Sequence, residues 1–239
     1  ASPETAESRL LSVARQIGMR PLIVAAVPAR DTPIFRWAAG RTELWLLFAM
    51  TLLALALTGY KPYDLTTWFL EVFPVLFAIP LLALTRDAFP LTRLLYWLIF
   101  VHALILMLGG HYTYARVPLG FWLQDWFDLS RNHYDRIGHL AQGMVPAMIA
   151  REVLLRRSPL VRGKWLFFIV LSVCMFVSVF YEFIEWWVAL IAQGASIEFL
   201  GTQGDVWDTQ WDMFLAFCGA ILAQLLLARV HDRQLAGIA

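Results

Sequence analysis

Charged residues are scarce in this 239-residue chain. Asp, Glu, Lys and Arg together make up 15% of it, whereas a soluble domain carries about a quarter. The formal net charge is +1, so no excess of either sign argues for nucleic acid as a partner. There are only two cysteines, Cys174 and Cys218, both inside apolar runs. They read as small buried hydrophobes, and no disulfide framework is implied. The five histidines are too few for a membrane di-iron oxygenase built on histidine pairs. A glycine-rich phosphate loop of the Walker kind is missing, as are internal repeats and low-complexity tracts. The opening stretch, Ala1 to Glu7, is polar and leads into scattered arginines, without the basic, apolar and small-residue order of a signal peptide. The first apolar span is therefore expected to act as the targeting signal.

What the chain has instead is long apolar runs, and 60% of its residues are hydrophobic. A helix needs ~20 mostly apolar residues to cross ~30 Å of hydrocarbon. Six runs qualify, once the first and third borrow a few flanking residues: Glu43–Leu57, Thr66–Leu84, Leu94–Leu108, Ile137–Leu155, Trp165–Ile191 and Trp211–Val230. The fourth is the least apolar and carries His139 and Gln142. Pro74, Pro80 and Pro146 fall inside runs, which membrane helices tolerate when neighbours satisfy the freed carbonyls. The expected fold is an all-α polytopic membrane bundle of about six spans. It divides into a tail at 1–42, a membrane domain at 43–230 and a short tail at 231–239.

The basic residues fix an orientation. Fifteen of them fall in the N-terminal tail, in the second and fourth connections and after the last span; only Lys61, Arg116, Arg131 and Arg136 fall on the other side. The positive-inside rule puts both termini in the cytoplasm of a bacterial inner membrane. In the N-terminal tail, Leu10, Leu11, Ala14 and Ile17 have helical spacing with Arg9, Arg15 and Arg20 nearby. This reads either as an amphipathic helix on anionic lipid or as a helix packed on its own membrane domain.

The polar residues gather on the opposite, periplasmic side. The third span runs out into Gly109-Gly110-His111-Tyr112-Thr113-Tyr114, and an aromatic segment follows, Phe121-Trp122-Leu123-Gln124-Asp125-Trp126-Phe127. Its mixture of rings and acids suits the headgroup level. With the fourth helix starting near Asn132, Asp135, His139 and Gln142 share a stripe at i, i+4 and i+7. That spacing suits a carboxylate–imidazole pair or a shared metal. Capping by Asn132 with Asp135 on the helix dipole explains the aspartate equally well, but it does not explain His139. In the fifth span, Glu182 and Glu185 share a face ~26 Å along the helix from Trp165. Carboxylates at that depth require partners, protons or a metal, and Arg131 or Arg136 is the structural alternative. Asp205, Asp208 and Asp212 make a third stripe at the mouth of the last span, where the first two also read as caps. His102 reads as a packed, hydrogen-bonded mid-span histidine. Glu71 either joins the cluster or is solvated.

The strings Gly110-His111-Tyr112-Thr113-Tyr114, Arg131-Asn132-His133-Tyr134-Asp135-Arg136 with His139, Tyr181-Glu182 with Glu185-Trp186, and Gly204-Asp205 through Asp212 resemble those of the YjdF-like family of bacterial inner-membrane proteins. The resemblance runs from about Trp45 to Val230 and implies a fold rather than a reaction. A partial likeness to VanZ-like membrane proteins rests on Asp135, Arg136 and His139, then Glu182, then Asp205, Asp208 and Asp212. Asp212-Met213 and Gly219 stand near where that pattern expects Asn and Gly. This likeness implies work on envelope lipids or peptidoglycan precursors.

Three functions follow as expectations. The first is a metal-dependent hydrolase or transferase acting on an envelope lipid or lipid-linked substrate. In it His139, Asp135, Glu182, Asp208 and Asp212 would hold a divalent ion such as Zn, Mn or Fe. Glu185 would be the general base and His133 a second catalytic group, with His111, Asp205 and Arg136 as further candidates. The second is an ion-coupled transporter using the same carboxylates. The third is an assembly subunit that docks a membrane-protein partner.

Overall fold

The computed structural model describes residues 39–192 and 202–238, and among them it holds eight helices and no strands. They are α1 (Arg41–Gly59), α2 (Leu65–Thr85), α3 (Arg93–Tyr112), α4 (Pro118–Phe127), α5 (Tyr134–Arg157), α6 (Lys164–Ala192), α7 (Asp208–Leu226) and α8 (Ala228–Leu235). The expected amphipathic helix around Leu10–Ile17 lies outside the described residues. Five helices, α1, α2, α3, α6 and α7, are long and apolar enough to cross a membrane. The sixth expected span, α5, has 24 residues, or ~36 Å at the helical rise. It is longer than α1, α2, α3 and α7 but more polar, and it packs against α3, α6 and α7. Its polar side chains His139, Arg151 and Glu152 are buried. The least apolar helix therefore faces its neighbours, which is how membrane bundles hold ionisable groups.

The most extensive helix pair is α5 with α7, and small residues explain it. A Cβ on Gly143 would run into the carbonyl of Ala216, and one on Gly219 into the carbonyl of Leu140. Backbone thus lies on backbone, the arrangement that drives helix association in lipid. The seam continues through Ala147 on α5 and Ala220 and Ala223 on α7, all fully buried. Its α5 side reads His139, Gly143, Ala147 and Arg151, four residues apart, so one stripe carries a polar group at each end.

One end of that stripe holds a hydrogen-bonded clasp. Glu152 accepts from the Thr92 amide at 3.1 Å, the Thr92 hydroxyl at 2.8 Å, Arg156 at 2.7 Å and His231 Nε2 at 2.9 Å. Arg151 donates to His231 Nδ1 at 2.8 Å and to Asp232 at 2.7 Å, and Arg162 lies 3.0 Å from Asp232. An imidazole that accepts at Nδ1 and donates at Nε2 is neutral, with its tautomer fixed. Gln234 of α8 accepts from the Leu94 amide at 2.8 Å, satisfying one of the unpaired donors of the α3 first turn. These bonds account for a difference from the expected last span. It does not run unbroken from Trp211 to Val230 but stops at Leu226, and α8 turns His231 and Gln234 inward. His102 also differs from expectation: its Nε2 is closed off without a hydrogen-bond partner.

Candidate functional site

The other end of the seam gathers the acidic residues. His139 Nε2 lies 3.3 Å from Asp135 Oδ1 and 3.5 Å from Asp212 Oδ1, while its Nδ1 lies 2.7 Å from Gln142 Oε1. The carboxylate, imidazole and amide stripe on α5 is formed as its spacing requires. Asp212 comes from α7, carried in by the glycine seam one to two turns below. One ligand atom from each of Asp135, His139 and Asp212 falls within 4.8 Å of the others, so the three could hold a metal ion.

The donor set fits a cation on its own chemistry. Gln142 Oε1 accepts a hydrogen bond from Nδ1–H, so in the neutral ring the Nε2 lone pair faces two carboxylates. That arrangement is repulsive unless a proton or a cation lies between them. Asp212 Oδ1 and Glu182 Oε1 are both buried without a hydrogen-bond partner, and buried polar atoms in that state are uncommon. An amide oriented on the far ring nitrogen is the usual outer support of a metal-binding histidine.

Around this core the helix ends form a wall. Glu71 of α2 is buried and accepts from the Tyr181 hydroxyl of α6 at 3.4 Å. It joins the cluster rather than facing solvent. The charges acting on Glu71, Glu182, Glu185 and Asp212 are mainly one another's and those of His139, Asp135 and Asp208. The two nearby arginines are committed elsewhere. Arg131 binds Asp208 at 2.6 Å, Asp205 at 3.1 Å and the Thr202 carbonyl at 2.7 Å. Arg136 reaches Asp205 at 3.4 Å and lies over the Trp211 ring at 4.8 Å. Among the described residues, the structural alternative in which Glu182 and Glu185 pair with these arginines is therefore not found.

The remaining candidates fall at different distances from the centre. Asp208 begins α7 and is held by Arg131, and it lies outside the three-residue group. Asp205 accepts from the Trp207 amide at 3.0 Å as a turn residue, so Trp207, not Asp205, is the N-cap of α7. His133 is the N-cap residue of α5, with its Nδ1 buried and unpaired. Burial, then Arg136 and Arg131, push its pKa below the usual imidazole value. His111 is used by the fold: its Nδ1 meets the Thr58 carbonyl at 2.7 Å, and its own carbonyl accepts from the Tyr63 amide at 2.9 Å.

Sequence reasoning missed Tyr114, Tyr181 and the role of Asn132. Thr113 and Tyr114 both have left-handed backbone, with φ of 57° and 45°. This turn folds the Tyr114 ring back against Gly109 and Gly138, where a Cβ at either position would meet it. Burial, then Glu71, pushes the Tyr114 phenol well above the usual range. The Gly109-Gly110 doublet was the available signal, because Gly110 in turn makes room for Glu71 and Trp68. Asn132 donates to the Val117 carbonyl and accepts from the Tyr134 amide, both at 3.0 Å. It thereby ties the aromatic helix α4 to the first residue of α5, next to Asp135. Trp122, Trp126 and Phe127 of α4 are exposed.

An all-helical bundle with several helices apolar and long enough to span, and with its ionisable groups turned inward, is a polytopic integral membrane protein. The chain belongs to the family described as "Predicted membrane protein (DUF2238)", which residues 43–233 match. It is similar to the Inner membrane protein YjdF of Escherichia coli (strain K12), with 55% identity over 190 residues that cover 78% of this chain and 90% of that protein. No solved structure matches.

Proposed function

We propose that this protein is a divalent-metal-dependent hydrolase or transferase acting at the membrane surface on an envelope lipid or lipid-linked ester. The observation that carries the reading is the approach of Asp135, His139 and Asp212 to within 4.8 Å, with a buried, unpaired oxygen on Asp212. Mixed nitrogen and oxygen ligation suits Zn, Mn or Fe. When bound, such an ion polarises a phosphoryl or carbonyl oxygen and makes water a better nucleophile. The chain's own groups do the rest. Glu185 takes the proton of the attacking water or acceptor hydroxyl as the new bond to phosphorus or carbon forms. His133 manages the proton that the leaving oxygen gains as its bond breaks. Glu182 holds the wall opposite Thr209, and the committed arginine Arg131 keeps Asp208 and Asp205 out of the ligand set.

The lipid character of the substrate is supported by α4, whose exposed Trp122 and Trp126 suit the headgroup level. The relative in E. coli is named an inner membrane protein. With most basic residues at the clasp end, this site would face the periplasm and both termini the cytoplasm. The test is elemental mass spectrometry of the detergent-purified protein beside its Asp212→Asn and His139→Gln variants. About one transition metal per chain, absent from both variants, is the expected result. Equal metal content in all three contradicts it. The distances of 3.3 and 3.5 Å from His139 to its carboxylates also suit an imidazolium ion pair. A stable protein without metal would favour that second reading, with the carboxylates serving proton relay or partner docking.

A further inference from the structure

At the clasp end, on the other side of α3, lies a cleft of about 910 Å³. Helices α1, α2 and α5 each pack on α3, and the space left over α3 is walled by residues such as Leu47, Pro74, Ala78, Ala103 and Pro146. The wall is almost wholly apolar until one end, where Arg86 and Arg157 line it. Along α5 the cleft runs from Val145 to Arg157, ~18 Å at the helical rise. That is about the depth of one leaflet, half of ~30 Å of hydrocarbon. Arg157 reaches the Ala88 carbonyl at 3.5 Å and lies over the Phe89 ring at 5.0 Å, and among the described residues neither Arg86 nor Arg157 has a carboxylate partner. Asp87 beside them is exposed and makes no ion pair among the described residues.

From this geometry we infer a binding site for one anionic phospholipid, with an acyl chain in the cleft and the headgroup phosphate on Arg86 and Arg157. An apolar slot one leaflet deep, opening on two guanidinium groups that have no carboxylate partner among the described residues, has the shape and the charge order of a single lipid. Guanidinium pairs phosphate well, and basic groups at a membrane surface favour anionic lipid. The site shares no residue with the acidic centre and does not depend on any metal there.

Native mass spectrometry of the full chain tests it, with dioleoyl phosphatidylglycerol and dioleoyl phosphatidylcholine supplied together in equal amounts. One phosphatidylglycerol should stay bound per chain, preferred about tenfold or more over phosphatidylcholine. The double variant Arg86→Gln/Arg157→Gln should bind the two lipids alike. Ala78→Trp, which fills the cleft, should retain several-fold less of both. Equal retention of the two lipids by the unaltered protein overturns the inference. So does full phosphatidylglycerol binding by Ala78→Trp, which would put the lipid on surface arginines alone. Lipid-free dimers would overturn it too, giving the cleft to a second copy of the chain.

Discussion

At the α8 end of the α5–α7 seam, Glu152 and His231 are both 0% exposed, and their hydrogen bonds are complete. The carboxylate accepts five hydrogen bonds from four donor groups, and the imidazole uses both nitrogens. At the α4 end of the same seam, Asp212 is 4% exposed, yet one of its oxygens has no partner. There Glu71, Asp135, Glu182, Glu185 and Asp212 crowd one histidine, while the arginines serve Asp205 and Asp208. Both clusters are buried and both are ionisable. They differ in whether anything is left over. A network whose members are all satisfied joins helices and has nothing to offer a ligand. A network with surplus carboxylate needs something supplied from outside.

Substitutions at the two ends should therefore separate stability from ligand binding. Glu152→Ala should have the largest effect. It strands His231, Arg156 and the Thr92 amide, and removing one member of a buried charged network costs about 3–5 kcal/mol. Thermal unfolding in detergent checks it, and a normal melting temperature would break the comparison. Gly143→Ala comes next. Its methyl group meets the Ala216 carbonyl, and such overpacking costs about 1–3 kcal/mol. By prising Asp212 from His139 it should also lower metal retention, which the same unfolding curves and elemental analysis will show. His111→Ala should cost about 1 kcal/mol, the worth of its bond to the Thr58 carbonyl, and should leave metal content unchanged. If metal is lost, His111 belongs to the site after all. Asp212→Asn should be smallest in the metal-free protein, because the charge it removes has no hydrogen bond at Oδ1 and lies among the carboxylates of Asp135, Asp208 and Glu182.

The sequence reveals the helices because apolar length is a local property. Each of the six runs appears as a helix within a few residues of its expected ends, apart from the break at Leu227. The α5 stripe is equally local, since Asp135, His139 and Gln142 need only helical periodicity to meet. The remainder depends on partners far apart in the chain. His231 finds Glu152 across 79 positions, and Arg131 finds Asp208 across 77. Counting charges by loop gives a side of the membrane but no partner, so it does not reveal that Arg151 is buried on His231 or that Arg156 is bonded to Glu152. The glycines that bring α5 onto α7 leave no trace in a hydropathy profile, so the arrival of Asp212 beside His139 follows from packing.

The acidic end has carboxylate and imidazole atoms free to hold a cation, and the clasp end has none. The direct measurement is thermal unfolding of chelator-treated protein on adding zinc or manganese, for the unaltered chain and for His139→Gln. Binding at a hundredfold excess over Kd stabilises by about 2.7 kcal/mol. A saturable rise in melting temperature is expected for the unaltered chain and none for His139→Gln. An equal rise in both, or no rise in either, would contradict it.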